Sequence, residues 1–111
     1  MKCALAAVGF LNGNIEYNKK VLADTLEKCA GKAEVVLFGE AFLQGFSGIR
    51  FEPEYDRTIA LSRTDPTIGE IGAMAKEFSL AVSFGFIEKD CGSFFSSQMT
   101  LDPGGRIIDL Y

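Results

Sequence analysis

At 111 residues, 48% of them apolar, the chain is long enough for one compact domain and no more, and its ten Phe without any Trp imply a core built largely on Phe. Eleven basic residues against fifteen acidic give a net charge of −4, which disfavours nucleic acid and anionic membrane surfaces as partners, since both select a basic face. No apolar run approaches the roughly 20 residues of a membrane span, Met1-Lys2 leads straight into a strand-like segment rather than a signal peptide, and three unevenly spaced cysteines suit a reducing, cytoplasmic setting.

Residues 3–10 form an apolar run and read as a first buried strand. Asn12-Gly13-Asn14 is turn chemistry, and the Asn14 side-chain oxygen can cap a following helix. From Ile15 the period is helical: Ile15, Asn18, Leu22, Leu26 and Cys29 share a face, and Gly31 ends the helix. Val35-Val36-Leu37-Phe38 then reads as a strand buried on both faces of a parallel sheet, completing a right-handed strand–helix–strand unit.

Residues 44–63 are less regular, with Gly45, Gly48 and Pro53 breaking any period, and read as a long functional loop. Asp65-Pro66 signals a helix start, and Ile68, Ile71, Ala75 and Phe78 mark its buried stripe. Residues 80–87 alternate large and small side chains, so one strand face is bulky and the other closely packed. The turn at 89–92, a strand over 94–101, a turn at 102–105 and a strand over 106–111 complete an antiparallel extension. The expectation is an α/β fold with a mixed sheet, parallel at first and antiparallel at the end.

Glu40 stands just past the second strand, where parallel sheets bind ligands, with no Lys or Arg within five residues. Such a carboxylate is solvated, paired with a more distant cation such as Arg50, or used. The absence of histidine removes Ser-His-Asp and Cys-His arrangements and most zinc and facial-triad iron sites. Gly45-Phe46-Ser47-Gly48 is close to a nucleophile elbow but has Ile49 where that motif needs glycine. Cys3 and Cys29 are expected in the core, and Cys91 reads as an exposed incidental thiol. Asn18 reads as a buried amide satisfied by backbone, or as a partner of the loop after the first strand.

In order and spacing these features resemble the amino-terminal half of the nitrilase, or carbon–nitrogen hydrolase, superfamily. The matching pieces are Asn18, the strand ending in Glu40 with Ala41-Phe42-Leu43-Gln44-Gly45-Phe46, Ala75, Phe84-Gly85-Phe86-Ile87-Glu88, Phe95-Ser96-Ser97, and Gly104-Gly105-Arg106-Ile107-Ile108 through Tyr111. The resemblance covers essentially the whole chain and implies half of a four-layer αββα sandwich, with helices on one face of the sheet. It also implies that residues 1–111 are the amino-terminal part of a single hydrolase domain.

The activity so implied is hydrolysis of non-peptide C–N bonds in amides, nitriles or carbamoyl compounds by a glutamate, a lysine and a cysteine, with no metal or organic cofactor. Glu40 matches the glutamate. The family lysine follows just beyond the tyrosine matched by Tyr111, and the cysteine lies further along, so the 111 residues alone are expected to be inactive. The thiolate attacks the substrate carbon, the glutamate acts as general base, and the lysine stabilises developing charge. Phe46 replaces a common tyrosine and is the candidate substrate contact. Gly39 stands where proline is usual, and Ser96 where asparagine is usual, which puts a supporting hydrogen bond in doubt. A different class of reading is a non-catalytic α/β interaction or scaffold domain. An apolar sheet face around residues 35–38, left uncovered, is expected to drive self-association through that face or through the outer helices.

Overall fold

The computed structural model describes residues 2–6, 8–45 and 52–111. The elements are β1 (Cys3–Leu5), α1 (Ile15–Cys29), β2 (Val35–Leu37), α2 (Pro53–Ile59), α3 (Pro66–Phe78), β3 (Ala81–Asp90), β4 (Ser93–Leu101) and β5 (Ile107–Leu110). The strands form one sheet in the order β1-β2-β3-β4-β5. β1, β2 and β3 run parallel, with Cys3 opposite Val35 and Val35 opposite Ala81, whereas β3, β4 and β5 are antiparallel. The mixed sheet is therefore as expected.

The helix ends follow the sequence signals. Asn14 Oδ1 accepts from Tyr17 N at 3.0 Å, and Asp65 Oδ1 accepts from Thr67 N at 2.9 Å, each satisfying one donor that a helix start leaves open. Past α1, Gly31 takes φ +77°, while Lys32 N and Ala33 N return to the carbonyl of Cys29. At the β3–β4 turn both central residues, Cys91 and Gly92, have positive φ, the geometry that matches the twist of a two-residue hairpin. Lys19 on α1 donates to Glu16 one turn earlier and to Glu70 on α3, tying the two helices together.

α1 and α3 cover one face of the sheet. Leu22, Leu26, Ile68, Ile71 and Ala75 from the helices meet Val36, Val82, Phe84, Phe86, Met99 and Leu101 from the strands. Of the ten Phe, four (Phe38, Phe42, Phe84 and Phe86) are buried in this cluster among the described residues. α3 approaches the β4–β5 turn backbone to backbone: a Cβ on Gly72 would lie 2.9 Å from Gly105 O, and one on Gly105 would lie 2.5 Å from Gly72 O.

The opposite face is divided. A small cluster of Ala41, Ile59, Ala60 and Ile87, joined by Tyr55 and Phe94, covers the carboxyl end of β3. Along β1 and β2 the face is apolar and open: Cys3 and Leu5 are exposed, and Val35 and Leu37 half-buried. Along β3 and β4 it is polar, with Ser83 Oγ accepting from Gln98 Nε2 at 3.0 Å and lying 3.1 Å from Thr100 Oγ1.

Several expectations need correction. The first strand is only Cys3–Leu5 rather than residues 3–10, because its parallel pairing with β2 lasts three residues. Cys3 is exposed, not core, since it faces away from the helices. Cys29 is half-buried against the main cluster, and Cys91 is exposed as expected. β2 is buried on one face only: Val36 is enclosed while its neighbours are not. The irregular stretch before Asp65 contains α2, a seven-residue helix in which Pro53 occupies the first turn rather than breaking a period.

Candidate active site

Glu40 lies in the turn that follows β2. That turn is built against β3 with no room to spare. Phe38 N donates to Ser83 O at 2.7 Å, Gly85 N to Gly39 O at 3.2 Å, and Leu43 N to Gly85 O at 3.1 Å. The turn crosses directly over Gly85, where a Cβ would sit 2.4 Å from Ala41 N, 2.5 Å from Gly39 O and 2.8 Å from Glu40 Cα. Ala41 itself has φ +51°, a left-handed conformation unusual for a residue with a Cβ and held here by its packing in the small cluster.

Two buried amides fix the remainder of the turn. Asn18 donates from Nδ2 to Leu11 O at 2.7 Å and Leu43 O at 3.0 Å, and its Oδ1 accepts from Leu11 N at 2.8 Å. Both readings of Asn18 hold together: it is a buried amide satisfied by backbone, and that backbone belongs to the loop after β1 and to the Glu40 turn. Gln44 mimics a strand residue, accepting from Ile87 N at 2.8 Å and donating to Ile87 O at 2.9 Å and Ile59 O at 3.0 Å. Gln44 was legible only as part of the motif around Glu40; a lone polar residue between buried Leu43 and Gly45 is the signal for its bracing role.

The Glu40 carboxylate is exposed, and its Oε2 accepts from Ser96 Oγ at 3.0 Å. The serine that replaces asparagine therefore does supply a hydrogen bond here. Ser96 is opposite Ile87 on β3, so Glu40 lies on the open side of the sheet, at the end of the polar strip that runs through Gln98 and Ser83 to Thr100. On the helix-covered side of the same strands, Glu88 is buried, accepting from Ser97 Oγ at 2.7 Å and from Arg63 Nε at 2.9 Å. Spacing alone did not reveal this second carboxylate.

Phe46 and Arg50 lie outside the described residues, so neither the substrate contact nor a Glu40–Arg50 pair has a structural description. Tyr111 is largely exposed, yet it continues the β5 pairing, exchanging backbone hydrogen bonds of 2.9 and 3.1 Å with Gln98. Among the described residues, no group of three or more His, Cys, Asp and Glu side chains is arranged to hold a metal ion, and no helix is long and apolar enough to cross a membrane.

The family model for carbon-nitrogen hydrolases matches residues 5–111. The chain belongs to the carbon-nitrogen hydrolase family. It is 26% identical over 105 residues to an (R)-stereoselective amidase from Pseudomonas sp., covering 95% of this chain and 37% of that protein. It is 28% identical over 106 residues to an arylacetonitrilase from Arthroderma benhamiae, covering 88% of this chain and 31% of the relative. Among solved structures it resembles an amidase from Nesterenkonia sp. with a TM-score of 0.83 and 14% identity, over all of this chain and 41% of the other. The chain thus spans about a third of the curated relatives it matches and about two fifths of that amidase. At that identity the likeness is one of fold, and the α/β layers described above are half of the αββα sandwich of that fold. The Nesterenkonia amidase has been solved with butyramide, and as a variant carrying the acetamide moiety of fluoroacetamide on its active site cysteine.

Proposed function

We propose that this chain is the amino-terminal part of a single hydrolase domain acting on amides, nitriles or carbamoyl compounds, and that Glu40 is its general base. The observation that carries the reading is the construction around Glu40. A turn braced by two buried amides and a closely packed glycine holds one exposed carboxylate at the end of a polar strip, with a serine hydroxyl directed at it. A base held in this way is ready to take a proton from a nucleophile and later from water, steps in which a positioned group contributes about 10²–10⁴ in rate.

The lysine and cysteine partners are supplied from beyond Tyr111. The β4–β5 register supports this for the lysine. Tyr111 is opposite Gln98, so a strand continued by two residues would bring a side chain opposite Ser96 and beside Glu40. The thiolate then attacks the substrate carbon while the ammonium group stabilises the developing negative charge. The butyramide complex and cysteine adduct of the Nesterenkonia amidase support a small-molecule amide as substrate and a cysteine as nucleophile. Phe46, next to Gly45 in the chain, is the proposed apolar contact for substrate. The protein works in the cytoplasm without a cofactor and self-associates through the open sheet face or the outer helices.

Kinetics of the full-length protein on a panel of amides and nitriles tests the reading. Glu40→Gln should lower kcat/KM by at least about 10²-fold, and the 111-residue chain alone should show no turnover. Near-normal activity in Glu40→Gln would overturn it.

A further inference from the structure

Ser96 and Ser97 are neighbours on β4 and point to opposite faces of the sheet, and a carboxylate accepts from each hydroxyl. Ser96 Oγ donates to Glu40 Oε2 at 3.0 Å on the open face, and Ser97 Oγ to Glu88 Oε1 at 2.7 Å on the helix-covered face. Glu88 is only 3% exposed, and its second oxygen accepts from Arg63 Nε at 2.9 Å. Arg63 reaches it because the chain just after α2 runs beside β3, where Leu61 N donates to Ile87 O and Lys89 N to Leu61 O.

Only the carboxylate of this pair is buried, the Arg63 side chain being 52% exposed, so the pair is a weak source of stability. What it supplies is a single geometry. β4 needs that here. Ser96 is opposite Ile87 and Ser97 opposite Phe86 on β3. A twist or slip of this segment would swing Ser96 away from Glu40, because side-chain direction follows register.

We propose that Glu88, held by Arg63, is a positioning residue for Glu40: by anchoring Ser97 it fixes the segment of β4 whose Ser96 hydroxyl holds the Glu40 carboxylate. This rests on the reading of Glu40 as general base.

The test is steady-state kinetics of the full-length enzyme on an amide that it hydrolyses. Ser97→Ala and Glu88→Gln should each lower kcat by about tenfold with KM within about twofold, less than the 10²-fold that a 1 Å misplacement can cost. Ser97→Thr, which keeps the hydroxyl, should restore kcat. With Ser96→Ala already present, Ser97→Ala should add almost nothing, because the contact it serves is gone. Unchanged kcat in Ser97→Ala, or its full effect repeated on Ser96→Ala, would overturn the proposal. If Glu88→Gln does not fold, the Ser97 pair of variants decides the matter. Glu40→Gln separates the two readings. If it retains activity, the base assignment falls and the positioning role with it. If it is inactive while Ser97→Ala has normal kcat, only the positioning role falls.

Discussion

The two faces of this sheet are made from the same strands and solve different problems. The helix-covered face is continuous and apolar, closed by α1 and α3 over Phe84, Phe86 and Met99. The other face is apolar at β1 and β2, polar along β3 and β4, and covered, among the described residues, at the carboxyl end of β3. Alternation along β3 divides the two: Val82, Phe84 and Phe86 point one way, Ser83, Gly85 and Ile87 the other. Stability is concentrated on the first face, while the small and polar residues of the second leave space for a turn to cross and for a carboxylate to stay accessible. The lesson is that the site is paid for by the face it does not occupy.

Substitution on each face should expose the contrast. Phe84→Ala empties a fully buried position and should cost about 3–5 kcal/mol in denaturant unfolding, whereas Thr100→Val, one strand away on the polar face, should cost no more than about 1.5 kcal/mol. Equal losses would mean that the faces are not energetically distinct. Gly85→Ala sits between them. Its Cβ has no space under the Glu40 turn, so a loss of about 1–3 kcal/mol is expected, along with a shift of the Glu40 and Ser96 amide resonances that Thr100→Val does not produce.

The smallest effect expected is that of Lys19, outside both faces. Its hydrogen bond to Glu70 holds the ammonium group above its ordinary value of 10.5. A raised folded-state value means that the contribution is fully present below the unfolded value and is lost as pH rises through the folded one. Lys19→Met should therefore lower unfolding free energy slightly and by a constant amount from pH 7 to 9, at most about 1 kcal/mol, and the difference from wild type should shrink above about pH 10.5. A difference that grows with pH would contradict the assignment.

Much of this arrangement was legible in the residues. The Asn14 and Asp65 caps, the stripes of α1 and α3, and the large–small alternation of β3 each specify local structure directly, and Gly85 is the point where that close packing matters most. What was not legible depends on contacts distant in sequence. Gln44 reads as one more polar residue until Ile87 arrives beside it, and Glu88 as an ordinary strand carboxylate until Arg63 and Ser97 enclose it. The short length of β1 depends on how far β2 accompanies it. α2 has too few turns for a period to show.

The long β3–β4 hairpin also bears on how the chain acquires this structure. Its nine paired positions, from Val82 opposite Leu101 to Asp90 opposite Ser93, close around a two-residue turn, whereas pairing Cys3 with Val35, or Val35 with Ala81, requires a long segment to be ordered first. Loop closure of that length slows assembly, so the hairpin is expected to belong to the folding nucleus and the parallel strands to join later. Conservative substitutions in β3 and β4 should then slow refolding, while those in β1 and β2 should mainly speed unfolding, a pattern that φ-values measure. On that route Ser96 is in place before Glu40 reaches it, and the strands that receive the Glu40 turn form ahead of the turn.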